Sequence, residues 1–270
     1  MIKAEPGICS AASMRKRKGQ PRQFPGLFCK KNYEVTPMKI MIIRHGDPDY
    51  SIDSLTEKGW REAELLSHKL VNVPIDDFYT SPLGRAKDTA SPTLKKLGRT
   101  AEVLPWLREF AGTITSPYTG QERIPWDLPP YLWCKEPRYY DINHWHEPEL
   151  IAEGSVKEVY EETVAGVDAL LERYGCVREG MAYRGGEDKT IALFCHCGMG
   201  LAVLSYLTGI SPMVMMHNFF LSPTSVTTLV METDPKGYSH FRAVQVGDIS
   251  HLYVAGEPMS ESGLHPQFEK

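Results

Sequence analysis

The chain has 270 residues, 42% hydrophobic and 24% charged, with a formal net charge of −4. That composition is ordinary for one globular α/β domain, and no apolar run approaches the roughly 20 residues of a bilayer span. The mild net acidity leaves no general basic surface for nucleic acid, so the expected partner is a small molecule; no signal bears on oligomeric state.

Residues 1–37 carry eight basic side chains against Glu5 and Glu34, a net +6, so the remaining 233 residues sum to −10. With Pro6, Pro21, Pro25 and Pro37 scattered through it and no apolar periodicity, this stretch reads as a disordered extension. The six cysteines (Cys9, Cys29, Cys134, Cys176, Cys195, Cys197) follow no zinc or C-x-x-C spacing, and reduced thiols in a cytoplasm are the simplest reading.

The domain is expected over 38–256 and opens with Ile40 to Ile43, an apolar run without polar alternation, the habit of a strand covered on both faces in a parallel sheet. Arg44-His45-Gly46 ends it abruptly. The carboxyl edge of such a sheet is where ligands bind, and Gly46 permits close backbone approach there. A permanently charged guanidinium beside an imidazole suits phosphoryl transfer: the arginine binds phosphate oxygens while the ring nitrogen attacks phosphorus. A surface Arg-His in a loop would read the same, so the tripeptide alone does not decide.

Thr56 is the expected N-cap of a helix whose inner face is Trp60, Ala63, Leu66 and Leu70. Asp76 to Thr80 is a second strand, and Arg85 lies where Ser81-Pro82-Leu83-Gly84 enters the next helix, at an N-terminus that already favours an anion. That helix contains Pro92 and ends near Leu97-Gly98. Ala101 to Leu104 is a third strand, and Glu109 beyond it is an acid placed to protonate a leaving oxygen if burial raises its pKa.

The segment 113–150 holds three of the five tryptophans, four tyrosines and six prolines. It reads as an ordered insertion forming a lid or substrate wall, with Trp126, Trp133 and Arg123 as the candidate contacts. Its His144 and His146 are a weak metal signal, and no metal or other cofactor is expected. Ser155 and Glu158 have capping-box spacing before a helix running to Gly175. Cys176 to Gly186 reads as a connector, Thr190 to Cys195 as a second fully buried strand ending in His196, and Gly200 to Leu207 as a helix. Two strands, Thr224 to Glu232 and Ser239 to Val246, close the chain around a turn at 234–237.

The ordered set Arg44-His45-Gly46, Leu55-Thr56-Glu57-Lys58-Gly59 with Ala63, Ser81-Pro82 with Arg85-Ala86, Glu109, and His196-Cys197-Gly198 resembles the histidine phosphatase superfamily, in its phosphoglycerate mutase-like branch. The resemblance runs from about Lys39 to Leu252. It implies a three-layer α/β/α sandwich with a mostly parallel central sheet. His45 would be the nucleophile, with Arg44, Arg85, His196 and Gly46 holding the phosphate, and Glu109 would be proton donor and then base. The implied activity is metal-independent hydrolysis of a small phosphorylated metabolite through a phosphohistidine; mutase-like isomerisation and non-catalytic phospho-ligand binding are the rivals. Cys197 departs from the glycine common at that position in the family, and the insertion is long. A tail, 257–270, follows the domain, and its last six residues are expected to be functionally silent.

Overall fold

A computed structural model describes residues 38–264. The basic stretch 1–37 and the final six residues, for which the sequence predicts a disordered extension and a silent tail, lie outside the described residues.

Strand β1 (Lys39–Arg44) is the centre of the fold. Ile40 and Ile42 point to one face and Met41 and Ile43 to the other, and all four are buried, in two separate apolar clusters. After β1 come a short hairpin, β2 (Pro48–Asp49) with β3 (Ser54–Leu55), then α1 (Glu57–Leu70), β4 (Asp77–Thr80), α2 (Gly84–Leu97) and β5 (Glu102–Val103). The insertion contributes β6 (Ile114–Thr115), β7 (Glu122–Arg123), α3 (Pro130–Trp133) and α4 (Glu149–Ala152). The chain continues through α5 (Val156–Glu172), β8 (Cys176–Glu179), β9 (Ala182–Gly185), β10 (Thr190–Cys195) and α6 (Cys197–Thr208). It closes with α7 (Pro212–Asn218), β11 (Val226–Thr233), β12 (Tyr238–Asp248) and α8 (Ser250–Ala255).

Eight strands form one sheet in the order β5-β4-β10-β1-β11-β12-β9-β8. The first four are mutually parallel. Beyond them β11, β12, β9 and β8 each pair antiparallel with the strand before. Only β11 and β9 run against the common direction, so this sheet is mixed but mostly parallel. Leu66 and Leu70 of α1 and Ala90 of α2 pack with Met41, Ile43, Phe78 and Phe194 on one face. Val167 and Leu170 of α5 and Leu201 and Leu204 of α6 pack with Ile40, Ile42 and Leu193 on the other. The three layers expected from the sequence are present.

Local chemistry explains the helix ends. Thr56 Oγ1 accepts the Gly59 N–H at 3.0 Å, capping α1. Pro92 sits inside α2 and cannot donate to the Asp88 carbonyl; the Ser91 hydroxyl donates to that oxygen instead, at 2.9 Å. Gly98 closes α2 in the left-handed conformation, φ +62°.

Several expectations fail for identifiable reasons. Trp60 is 40% exposed, because the buried stripe of α1 passes through Gly59, Glu62, Ala63 and Leu66. The capping box at Ser155 does not form: its hydroxyl instead accepts the Thr113 N–H at 3.0 Å, fastening the start of the insertion. The stretch from Cys176 to Gly186 is the β8–β9 hairpin, extending the sheet by two strands. Among the described residues, no helix is long and apolar enough to cross a membrane.

Candidate active site

The ends of parallel strands converge on one place. His45 follows β1, Ser81 follows β4, His196 follows β10, and Glu109 comes after the single 3-10 turn that continues β5. Because these strands run side by side in one direction, residues far apart in sequence share an edge. One ligand-type atom from each of His45, Glu109 and His196 lies within 4.8 Å of the others.

His45 is buried, and its Nδ1 is 2.7 Å from the Gly46 carbonyl. A carbonyl only accepts, so Nδ1 carries the proton and Nε2 is left with a lone pair. Burial first, then the Arg44 charge, lowers the pKa to about 3, keeping the ring neutral and nucleophilic near pH 7.

His196, wholly buried, stands 5.1 Å from His45 between ring centroids. Its Nε2 is 2.7 Å from Ser81 Oγ, which already accepts the Leu83 N–H at 3.2 Å. The serine hydroxyl can give its own proton to Nε2, and in that tautomer the imidazole proton sits on Nδ1. That nitrogen is buried without a partner among the described residues. Burial, with the neighbouring His45 and arginine charges, lowers its pKa to about 2. One neutral ring thus offers a lone pair and the other an N–H.

Arg44 donates from Nη1 to the Leu221 carbonyl at 2.6 Å and from Nη2 to the Ser262 carbonyl at 2.8 Å, and the Phe220 ring lies 5.2 Å from its Cζ. Arg85 donates from Nη1 to Asp53 Oδ1 at 2.6 Å, with Tyr50 5.4 Å from its Cζ. In both arginines Nε is buried and has no partner among the described residues. Two buried orphan N–H groups beside a third on His196 call for an acceptor, and a tetrahedral oxyanion supplies several.

Glu109 Oε1 accepts the N–H groups of Phe110, at 2.9 Å, and Met199, at 3.1 Å. Oε2 takes no part in these bonds. The carboxyl is partly open to the cleft yet closely surrounded by protein, and burial raises its pKa against the opposing pull of both N–H groups. Gly198 lets this packing form. A Cβ there would stand 2.6 Å from the Trp126 ring and 3.1 Å from Glu109 Oε1.

His45, His196 and Glu109 are the described side chains spaced to hold a metal ion. Two guanidiniums beside them oppose a cation and favour an anion.

Arg44, His45, Arg85, Glu109 and His196 therefore come together, and Trp126 stands against Glu109. The other expected contacts do not join them. Gly46 spends its only N–H on Thr89 Oγ1, at 2.9 Å, so it fastens the loop and offers phosphate no donor. Its lack of a side chain is required by Gly59, whose carbonyl oxygen would be 2.8 Å from a Cβ. Trp133 is 6% exposed and packs on His217 at 4.4 Å and on Tyr140 at 5.8 Å, as core and not as substrate wall. Arg123 lines a small separate cavity with Ile114, Tyr118 and Leu128.

Sequence reasoning missed Asp53, which receives Arg85, and the role of Ser81 in orienting His196. It also missed the contacts made by 257–264, which it placed outside the domain as a tail. Besides the Ser262 carbonyl on Arg44, the Ser260 hydroxyl donates to Asp47, and the Pro258 carbonyl accepts from Lys58 Nζ at 2.5 Å. Two of these contacts use backbone carbonyls, which leave no mark on side-chain identity.

A mostly parallel α/β/α sheet whose carboxyl edge gathers two arginines, two neutral histidines and an acid is the architecture of the phosphoglycerate mutase-like fold. The chain belongs to the histidine phosphatase superfamily (branch 1), a sequence model of which matches residues 40–242. Among solved structures it resembles phosphoserine phosphatase from Entamoeba histolytica, in complex with phosphoserine (19% identity, TM-score 0.54, covering 80% of this chain and 99% of that one). It also resembles the mycobacterial glucosyl-3-phosphoglycerate phosphatase (20% identity, TM-score 0.53, 78% and 99%). A 2,3-bisphosphoglycerate-dependent phosphoglycerate mutase of Thermoplasma acidophilum is 44% identical over a stretch covering 20% of this chain and 32% of that enzyme. The match thus spans about a third of the relative's length.

Proposed function

We propose that the protein is a metal-independent phosphatase that hydrolyses a small phosphomonoester through a covalent phosphohistidine on His45. The observation carrying this reading is the pairing of a buried, neutral His45 whose Nε2 is unprotonated with three buried nitrogens that have no partner among the described residues: Arg44 Nε, Arg85 Nε and His196 Nδ1. Binding alone requires donors but no nucleophile.

In the first step the His45 Nε2 lone pair forms a bond to phosphorus as the ester P–O bond breaks. The electron pair leaves on the alcohol oxygen, and the Glu109 carboxyl, whose pKa burial raises, gives that oxygen its proton. The two arginines and His196 stabilise charge on the transferring group, the task other phosphatases give to metal ions. In the second step Glu109, now a carboxylate, takes a proton from water as its oxygen attacks phosphorus. The P–N bond breaks and its electron pair returns to Nε2.

The solved relatives are named for small phosphate esters, which supports the same substrate class here. The four described cysteines are unpaired, in keeping with the reducing cytoplasm we propose as its location.

The test is hydrolysis of an aryl phosphate in excess chelator, alongside incubation with 2- and 3-phosphoglycerate. The proposal requires phosphate release that persists in chelator. Interconversion of the two phosphoglycerates without release would establish the mutase instead, and tight phosphate binding without turnover a binding protein.

A further inference from the structure

We propose that Asp53 is the positioning residue for the phosphate site, holding Arg85 in the one orientation that directs its Nε at the transferring group. The inference rests on the phosphatase reading above for its kinetic consequence but on geometry for its existence.

The carboxylate of Asp53 spans two partners. Oδ2 accepts the Gly84 N–H at 2.7 Å, at the first residue of α2, and Oδ1 accepts from Arg85 Nη1 at 2.6 Å. One rigid anion therefore ties the guanidinium to the helix that carries it. With Nη1 held, the planar group cannot turn about its stem, and the remaining buried Nε–H keeps a fixed direction.

The surrounding loop is arranged to deliver that carboxylate. Asp53 has φ +48°, a left-handed conformation that is strained for most residues and tolerated best by Gly, Asn and Asp. The β2–β3 hairpin that contains it presses so close to α2 that a Cβ on Gly84 would lie 2.1 Å from the Asp53 carbonyl oxygen. Ser54 Oγ then donates to Asp88 Oδ2 at 2.5 Å, fixing the hairpin one turn further along α2. Strain, a required glycine and a second anchor all converge on placing one carboxylate at Arg85.

The arrangement matters for rate because a long arginine side chain gives up rotamer freedom when it is immobilised. Asp53 has already fixed it before substrate arrives. The resulting preorganisation counts most in the transition state, where charge has spread over the equatorial oxygens. Asp53 also puts a negative charge beside the site, which opposes ground-state phosphate. The expected signature is thus a loss of transition-state affinity without a matching loss of phosphate affinity.

Asp53→Asn isolates the effect. An asparagine keeps an oxygen for the Gly84 N–H and tolerates the left-handed backbone, but it loses the charge that holds Nη1. The expected result is a kcat lowered about tenfold or more, with the melting temperature within about two degrees of the unaltered protein and the inhibition constant of inorganic phosphate unchanged or lower. Binding of vanadate, whose five-coordinate adduct resembles the transferring phosphoryl group, should weaken about tenfold more than that of phosphate. In an Arg85→Lys background, Asp53→Asn should cost less than threefold, since an ammonium has no planar group to orient. Unchanged kcat and vanadate affinity, a loss matched by destabilisation, or full additivity in the lysine background would each overturn the proposal. If the unaltered protein hydrolyses no phosphomonoester, the phosphatase reading fails separately, and the vanadate-to-phosphate affinity ratio still decides the role of Asp53.

Discussion

At the carboxyl edge of β1, β4 and β10, polar side chains have one hydrogen-bonding atom tied to the scaffold and another left over. His45 gives Nδ1 to Gly46 and keeps Nε2; His196 gives Nε2 to Ser81 and keeps Nδ1; Arg44 and Arg85 each keep Nε. In the segment 113–150 the buried large side chains are instead satisfied by the protein itself: Trp133 packs on His217, Trp145 meets Tyr160 edge-on at 5.2 Å, and Tyr139 is buried in the same core. One region makes a site and the other a scaffold. What distinguishes them is whether bonding capacity remains after folding. Trp126 stands at the boundary, belonging to the insertion by sequence and to the site by its contact with Glu109.

The sharpest way to break this distinction is at Glu109. Replacing it with glutamine keeps an oxygen for the Phe110 and Met199 N–H groups but removes the transferable proton. Turnover should fall by roughly 10²–10⁴, most for alkyl and least for aryl phosphates. Because burial raises the folded-state pKa of Glu109, its ionisation at neutral pH opposes folding, and the amide should melt no lower than the acid. Equal losses for both ester classes would reduce Glu109 to packing.

Paired substitutions of the two tryptophans test the other side. Trp133→Ala should cost about 3–5 kcal/mol in stability and leave the KM ratio between a bulky and a small substrate unchanged, as expected for a core residue. Trp126→Ala should cost less stability and raise KM for the bulky ester selectively. An unchanged ratio in Trp126→Ala would assign the whole insertion to scaffolding.

The neutral histidines predict an acid weakness. Both folded pKa values lie below the unfolded value near 6.5, so the unfolded chain binds more protons, and stability falls as pH drops through 6.5 towards about 3 for His45 and about 2 for His196. Each contributes a slope of up to about 1.4 kcal/mol per pH unit in that window. A melting temperature flat from pH 7 to pH 4 would contradict their burial in neutral form. Smaller still, Ser260→Ala removes one hydroxyl from Asp47 and should weaken the docking of the tail by about 0.5–1.5 kcal/mol, read as faster proteolysis beyond Gly256.

Much of the site was legible because it is written in side chains at the ends of apolar runs. Arg44-His45 and His196 each terminate a strand buried on both faces, and the abrupt end of an all-apolar run locates such ends well. Glu109 followed from its place after β5. Asp53 and Ser81 escaped because their roles depend on what faces them across the fold: one receives an arginine 32 positions on, the other a histidine 115 positions on. Trp133 was misplaced for a related reason. An aromatic, proline-rich stretch has the same composition whether it turns towards a pocket or into a core, and here long-range packing against α7 and α5 decided the matter.

The central claim is that His45 Nε2 becomes covalently bonded to phosphorus, and rapid acid-free quenching during turnover of a phosphorus-labelled ester tests it most directly. The account predicts label on the protein that is stable in alkali and lost in acid, as a phosphoramidate should be, mapping to His45 and absent from His45→Ala. Label that persists in that variant, or turnover in single-turnover experiments with no protein-bound label at any time, would contradict it.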